Sequence, residues 1–434
     1  MTPAELSVMF FLQMALIVAV CRALGWAVKR FFGQPQVVGE IIAGVMLGPS
    51  LLGSLAPDVQ AWLFPQQSRE VLFVVAQFGI GLYMFVVGLG FNVGHFRANA
   101  PSAAAVSFSG MAAPFLGAVL LTPWLLHTPG LFGAEITTPQ AMLFLGACIA
   151  ITAFPVLARI IEERRLSNTP LGTLTLSAGA IDDAAAWITL SIVLASLGAG
   201  ASVAVKAIVG GIAFVLFMVT IAPKLLAPLA RMVERQGKIN HLALGVIFVA
   251  FMLSAFVTDY IGLHAVFGGF VLGAIMPRGL MQIELRRWLE PFATVVLVPV
   301  FFCYSGLNTS LTTVARVDLL AIMLVILAVS IVTKGVACWA AARATGQDNA
   351  TAMGIGTLMN ARGLMELIII NIGLQRGVIE TPLFSMLVVM AVVTTLMTSP
   401  LFELVYGKRA RERGELGALT ESESDAAQSP AAPK

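Results

Sequence analysis

Apolar residues run along this chain in long blocks, parted by short clusters of charged and turn-forming residues. A transmembrane helix takes about 20 residues, and blocks of that length recur thirteen times. They lie near residues 6–28, 37–54, 71–93, 102–126, 140–161, 171–197, 203–226, 240–258, 261–277, 291–308, 317–342, 350–373 and 381–405. After Tyr406 the pattern changes. Lys408, Arg409, Arg411 and Arg413 come first, followed by acidic, Ser- and Ala-rich sequence. That composition cannot bury a core, and it predicts a disordered tail over 407–434. The pattern therefore predicts an all-α polytopic membrane protein of about thirteen spans.

Composition agrees. Of 434 residues, 58% are hydrophobic and 11% charged, against about 45–50% and about 25% in soluble domains. The mean hydropathy is +0.92. A soluble enzyme, a disordered protein and a nucleic-acid binder are excluded, and a net charge of +3 gives no reason to expect a polyanion partner. What remains is a polytopic membrane protein, with membrane lipid as its surroundings. The distribution of Lys and Arg orients the chain. With the N-terminus outside and the C-terminus cytoplasmic, only Arg69, Lys206, Arg316 and Arg376 fall outside, and Arg22, Arg159, Lys334 and Arg362 stay within spans. All other Lys and Arg residues fall inside, as the positive-inside rule requires for an odd number of spans. No cleavable signal peptide is evident, because no positive region precedes the first apolar block. Cys21, Cys148, Cys303 and Cys338 form no CxxC pair and read as small core hydrophobes. The four His residues are scattered. No cofactor and no metal centre is expected.

Two blocks look like copies. LGACIAITAFPVLARII (145–161) and MGIGTLMNARGLMELII (353–369) each start near a Gly and carry a polar, Pro- or Gly-containing interruption. The first break is expected at Thr152, Ala153, Phe154 and Pro155, the second between Asn360 and Gly363. They lie seven spans apart, so the copies run in opposite directions. Broken helices meeting at mid-membrane in inverted repeats form binding sites in transporters.

Ionisable residues inside spans are costly and mark function. The candidates among them are Glu40, Asp182, Asp183, Lys334, Arg362 and Glu366. Asp182 and Asp183 lie roughly 17 Å into the sixth block, near the bilayer centre. Neighbours on a helix point about 100° apart, so one carboxylate is expected to face a cavity and the other a neighbouring helix. A carboxylate so placed can bind a proton or a small cation in competition, which is the minimal chemistry of an antiporter. Lys334 can reach an Asp of the sixth span, and either releases a proton when a cation binds or neutralises one Asp permanently. Arg362 and Glu366, four apart, are expected to hold the second broken helix in shape. Glu40 either lines an access funnel or pairs with a basic residue. His264 and Asp259 read as interfacial.

These residues carry a family resemblance. QPQVVGEIIAGVMLGPSLLG (34–53), ITAFPVLARIIEERRL (151–166), AGAIDDAAAWITL (178–190), HAVFGGFVLGAIMPRG (264–279), PVFFCYSGLNTSL (299–311) and MNARGLMELIIINIG (359–373) follow in order. They resemble the monovalent cation:proton antiporter-2 family, with its Kef-type members and plant CHX exchangers, over residues 34–405. The resemblance implies a sodium/proton antiporter-like fold with two crossed broken helices. It also implies a homodimer built on a scaffold of spans one to three and eight to ten (1–100 and 239–310). The transport core would be spans four to six and eleven to thirteen (101–198 and 311–406), with span seven (199–238) as linker. It implies Asp183 as the essential cation- and proton-binding carboxylate, Asp182 as its neighbour, Thr152 as a ligand in the unwound stretch, and Lys334 as the core lysine. The implied activity is exchange of Na⁺ or K⁺ for H⁺ by alternating access in a bacterial inner membrane. Two departures stand out. Plant members often carry Asn-Asp where this chain has Asp182-Asp183, which leaves electrogenic exchange open. Kef-type members also carry a cytosolic nucleotide-binding domain, and no GxGxxG follows a strand here. An uncoupled cation channel on the same fold is the alternative. An intramembrane aspartyl protease is excluded, because adjacent acids on one helix do not converge on one water.

Overall fold

The computed structural model describes residues 2–91, 93–167, 169–307 and 317–412, and among these the chain is helical with no strand. The spans are α1 (Pro3–Phe32), α2 (Gln36–Leu55), α3 (Gln66–Gly90), α4 (Val93–Leu126), α5 (Thr138–Glu163) and α6 (Pro170–Leu194). They continue with α7 (Ala201–Gln236), α8 (His241–Ile261), α9 (Ala265–Ile275), α10 (Leu280–Tyr304) and α11 (Val317–Ala344). The last two are α12, in two pieces (α12a, Asn349–Leu358, and α12b, Leu364–Gln375), and α13 (Thr381–Glu412).

Every expected span has its helix. Among the described residues, eleven helices are long and apolar enough to cross a membrane. The other two are α9, with 11 residues, and the interrupted α12. The last helix runs six residues into the expected tail, to Glu412. Residues 413–434, Arg316 and part of the 299–311 motif lie outside the described residues.

Local chemistry sets the ends. Thr2 and Glu5 form a capping box that opens α1. Gly33, Gly237 and Gly262 close α1, α7 and α8 in the left-handed region, with φ of 61°, 66° and 92°. Helix α1 buries one stripe at four-residue spacing, Gln13, Ile17, Cys21 and Gly25, and leaves Phe11, Trp26 and Phe31 facing outward. All four cysteines are buried and free.

Packing falls into two groups. Helices α3 and α9 pack closely, as do α1 with α2, α2 with α10, and α8 with α9. Separately, α4 packs on α5, α6 and α11, and α11 packs on α12a and α13. The α3–α9 crossing is backbone on backbone. A Cβ on Gly273 would lie 2.1 Å from the Phe85 carbonyl oxygen, and one on Gly88 would lie 2.3 Å from that of Phe270. Small residues allow such approach between helices in lipid. Gly273→Ala is expected to lower thermal stability by about 1–3 kcal/mol through overpacking. Gly245→Ala, where nothing lies within 4 Å, should leave the melting temperature unchanged or raise it. Paired melts in detergent check both.

Candidate functional site

Two broken helices frame the centre of the molecule. In α5 the first half (α5a, Thr138–Ala150) stops at Ala150, and the second (α5b, Phe154–Glu163) begins at Phe154. Pro155 has no N–H to give to a preceding turn, but in the first turn of a new helix none is needed. The break therefore falls at Ile151, Thr152 and Ala153, earlier than expected, and Phe154 and Pro155 belong to α5b. In α12 the residues between the two helical pieces are 359–363. The Asn360 Nδ2 donates to the Gly356 carbonyl at 2.9 Å, just past the end of α12a at Leu358.

The interruptions cross. The Ala153 N–H donates to the Ala361 carbonyl at 2.9 Å. A Cβ on Gly363 would sit 2.8 Å from Val156 Cγ2 and 3.1 Å from Ala153 Cβ, so this crossing also relies on a missing side chain. Ending α5a at Ala150 leaves its last carbonyls without helical donors. Two buried cations supply donors. Arg362 donates to the carbonyls of Cys148 (3.0 Å) and Ile149 (2.5 Å), and Lys334 to that of Ala150 (2.5 Å). Cations at a helix C-terminus also meet the negative end of its dipole. Arg362 further pairs with Glu366 at 3.2 Å and with the Ser330 hydroxyl.

Asp182 and Asp183, both fully buried on α6, have opposite surroundings. Asp182 Oδ1 accepts from the Ser107 hydroxyl at 2.5 Å. Its Oδ2 accepts from Thr152 Oγ1 at 2.7 Å and from Lys334 Nζ at 3.3 Å. Lys334 completes its three donors on the Gly110 carbonyl at 3.0 Å. Thr152 Oγ1 also lies 3.2 Å from the Met359 carbonyl. Asp182 is thus held by α4, the α5 break and α11. Among the described residues, neither oxygen of Asp183 has a hydrogen-bond partner. One turn further along α6, Trp187 stacks on His264 with ring centroids 4.8 Å apart.

The remaining sequence candidate lies elsewhere. Glu40 on α2 is buried and faces Arg159 of α5b at 3.8 Å, so of its two expected roles the structure presents the pairing. Arg159 also holds Glu163 at 2.6 Å, and Glu163 accepts from the backbone N–H of Gln36. Alongside, Glu162 of α5b accepts from Tyr83 of α3 at 2.6 Å and from Arg286 of α10 at 3.1 Å. This network joins α5b to α2, α3 and α10 at one end of the spans. It went unseen in the sequence, as did Ser107. Ser107 is one of three Ser residues, with Ser102 and Ser109, in an apolar block, with nothing to distinguish it. Glu162 and Glu163 run straight into Arg164 and Arg165, and in sequence such a cluster reads as charge at a helix end rather than an interhelical tie. Among the described residues no three His, Cys, Asp or Glu side chains gather as a metal site.

Comparison with known proteins settles the family. The family described as sodium/hydrogen exchanger, transmembrane, matches residues 15–404. The chain belongs to the sodium/hydrogen exchanger family. It is therefore an integral, multi-pass membrane protein of a transporter family, in line with the resemblance carried by the six motifs. The Na(+)/H(+) antiporter NhaS4 of Synechocystis sp. is 39% identical over 90% of this chain and 95% of its own length. Cation/H(+) antiporter 19 of Arabidopsis thaliana is 33% identical, and K(+)/H(+) antiporter 1 of Saccharomyces cerevisiae 32%. This exchanger-family chain spans about half the length of those two relatives, 50% and 49%. The sodium proton antiporter MjNhaP1 of Methanocaldococcus jannaschii shares the fold, with a TM-score of 0.57 at 12% identity, covering 95% of this chain and 99% of that one.

Proposed function

We propose that this protein exchanges Na⁺ or K⁺ for H⁺ across the membrane by alternating access, with Asp183 as the carboxylate that binds both in turn. The observation that carries this reading is the contrast between the two acids. Asp182 has partners on both oxygens, whereas Asp183 has none among the described residues. An ionised carboxylate buried without a partner costs several kcal/mol. A proton or an alkali cation relieves that cost, and one carboxylate cannot hold both fully. Competition follows, and with it coupling. In this reading Lys334 and Asp182 compensate each other, Thr152 offers a further oxygen in the α5 break, and Arg362 and Glu366 fix the crossover. The names of the relatives, Na(+)/H(+) and K(+)/H(+) antiporters, support the substrate class.

The packing groups support a division of labour. Spans α1–α3 and α8–α10 form the scaffold and the homodimer face, α4–α6 and α11–α13 form the transport core, and α7 is the linker. The distribution of Lys and Arg supports a cytoplasmic C-terminus, in a bacterial inner membrane. The polar network from α5b to α2, α3 and α10 then closes the cytoplasmic side.

Reconstituted vesicles with a pH-sensitive dye test the exchange. Adding Na⁺, K⁺ or Li⁺, but not choline, should dissipate an imposed proton gradient, and the ranking names the cation. Cation flux without proton movement would instead establish the channel reading. Weakening the network tests the gate. Arg286 is 36% exposed, and such a pair is worth about 0.2–1 kcal/mol. Arg286→Met should therefore speed thiol labelling of Ala186→Cys, from the α5b side in a cysteine-free background, by a factor of about two to five. An unchanged rate would detach the network from gating.

A further inference from the structure

Asp183 is fully buried, so it is closed off from both ends of the spans. The network on α5b accounts for one end. Chain direction identifies what stands towards the other. Helix α6 starts at Pro170, a short turn after α5b ends at Glu163. Trp187 therefore lies beyond Asp183 on the way to the opposite end, about 6 Å further along the axis. Four residues apart, the two side chains share one face of α6. Ser191 extends that face. A Cβ on Gly262, in the turn between α8 and α9, would lie 3.7 Å from the Ser191 Oγ. The face that carries Asp183 thus runs up to the α8–α9 turn.

His264, the last residue of that turn, meets it there. Trp187 and His264 stack nearly parallel, with centroids 4.8 Å apart and planes 15° apart. The indole comes from one packing group and the imidazole from the other, and Trp187 packs against apolar clusters of both. A broad flat ring pair therefore covers the seam one turn above the carboxylate. Two features show that this contact is held against a cost. The backbone of His264 lies at φ 71° and ψ 141°, which residues with a side chain rarely adopt. Gly200 has nearly the same angles, φ 86° and ψ 149°. Strain of this kind persists only where the surroundings impose it, and it gathers at sites and switches. The second feature is the Trp187 Nε1, which is buried and has no hydrogen-bond partner among the described residues. A buried indole N–H ordinarily finds one. Parting the rings returns that donor to water, which offsets the stacking lost.

We infer that Trp187 and His264 form the gate at the end of the pathway opposite α5b, a stacked pair that shuts water and cations out of the Asp183 site and parts when that end opens. The inference rests on the exchange proposed above, since a carboxylate reached from each end in turn needs a gate at each. The pair acts by controlling access and binds neither ion.

The test is thiol labelling of Ala184→Cys, three residues before Trp187 on the same face, in a cysteine-free background of the full chain. An impermeant reagent added to right-side-out and to everted vesicles reaches the two ends separately. Trp187→Ala should speed labelling from the end opposite α5b by a factor of about two to ten, the range set by losing an aromatic pair, and leave the rate from the α5b end unchanged. His264→Gly should do the same, while keeping the turn, because glycine adopts such angles freely. It stands as the test should Trp187→Ala not fold. The double variant should label no faster than the faster single one. An unchanged rate in both single variants would overturn the gate. An equal rise from both ends would overturn it too, by showing loosened packing, and a double variant much faster than either single one would show that the rings do not act as a pair. Labelling reports access alone, so its result stands apart from whether Asp183 binds the cation, which the dye assay decides.

Discussion

Asp183→Asn is expected to abolish cation-dependent proton movement while leaving the protein at least as stable as its parent. The side chain is fully buried and its oxygens have no partner among the described residues. The parent therefore carries an unrelieved charge whenever proton and cation are both absent. Asparagine keeps the shape and removes that charge. A buried unsatisfied polar group costs about 1–3 kcal/mol, and a charged one more, so the substitution relieves a cost rather than breaking a contact. Loss of function with gain or retention of stability is the signature of a site kept strained for its task. The vesicle dye assay should return the signal of empty vesicles for every cation. A second readout separates binding from turnover. A cation that binds only the folded state raises the melting temperature by mass action, so Na⁺ or K⁺ should stabilise the parent and not the variant. Exchange above background in the variant would move the binding carboxylate elsewhere. A marked loss of stability would mean that Asp183 has structural partners after all.

Most of the fold was legible because the bilayer leaves few choices. Only helices can satisfy their own backbone in a dry apolar layer, so thirteen apolar blocks meant thirteen helices. The two short spans have local causes. Helix α9 follows the turn at Gly262 and His264, and α12 yields at residues 359–363. The sequence places the α5 break at Thr152 to Pro155, one residue later than the structure does, because a Pro next to polar residues marks an interruption without saying on which side of it the helix resumes. Pro155 opens the new helix, and the unwound residues precede it. The carboxylates were legible as intramembrane charges, and their 100° separation predicted unlike surroundings. Which one is engaged was not legible, since it depends on Ser107 from α4 and Lys334 from α11 meeting on Asp182. Such a meeting lies in tertiary geometry, and no spacing along one helix encodes it. Glu162, Glu163 and Arg159 show the same limit. In sequence they are a charged helix end, whereas in space they tie α5b to three other helices.

Arg362→Met is expected to have the opposite profile, collapsing stability rather than sparing it. Its guanidinium meets the carbonyls of Cys148 and Ile149, the Glu366 carboxylate and the Ser330 hydroxyl, all buried. Methionine fills similar space and supplies none of those donors. Breaking a buried ion pair costs about 3–5 kcal/mol, and each orphaned carbonyl adds about 1–3 kcal/mol. Against a total stability of about 5–15 kcal/mol, most or all of the folded population is at stake. Fluorescence-detected melts in detergent should show a large drop in melting temperature or an aggregated profile. Arg362→Lys should fall between, since an ammonium keeps the charge but not the fork. Removing the acid as well, in Arg362→Met/Glu366→Met, should recover part of the loss. The double variant no longer buries an unpaired carboxylate, but it still leaves the α5a carbonyls open. The size of that recovery is the coupling between the pair, and the remainder measures what capping the broken helix contributes. Were the double variant as stable as the parent, the crossover would owe nothing to Arg362 as a cap, and its role would reduce to neutralising Glu366.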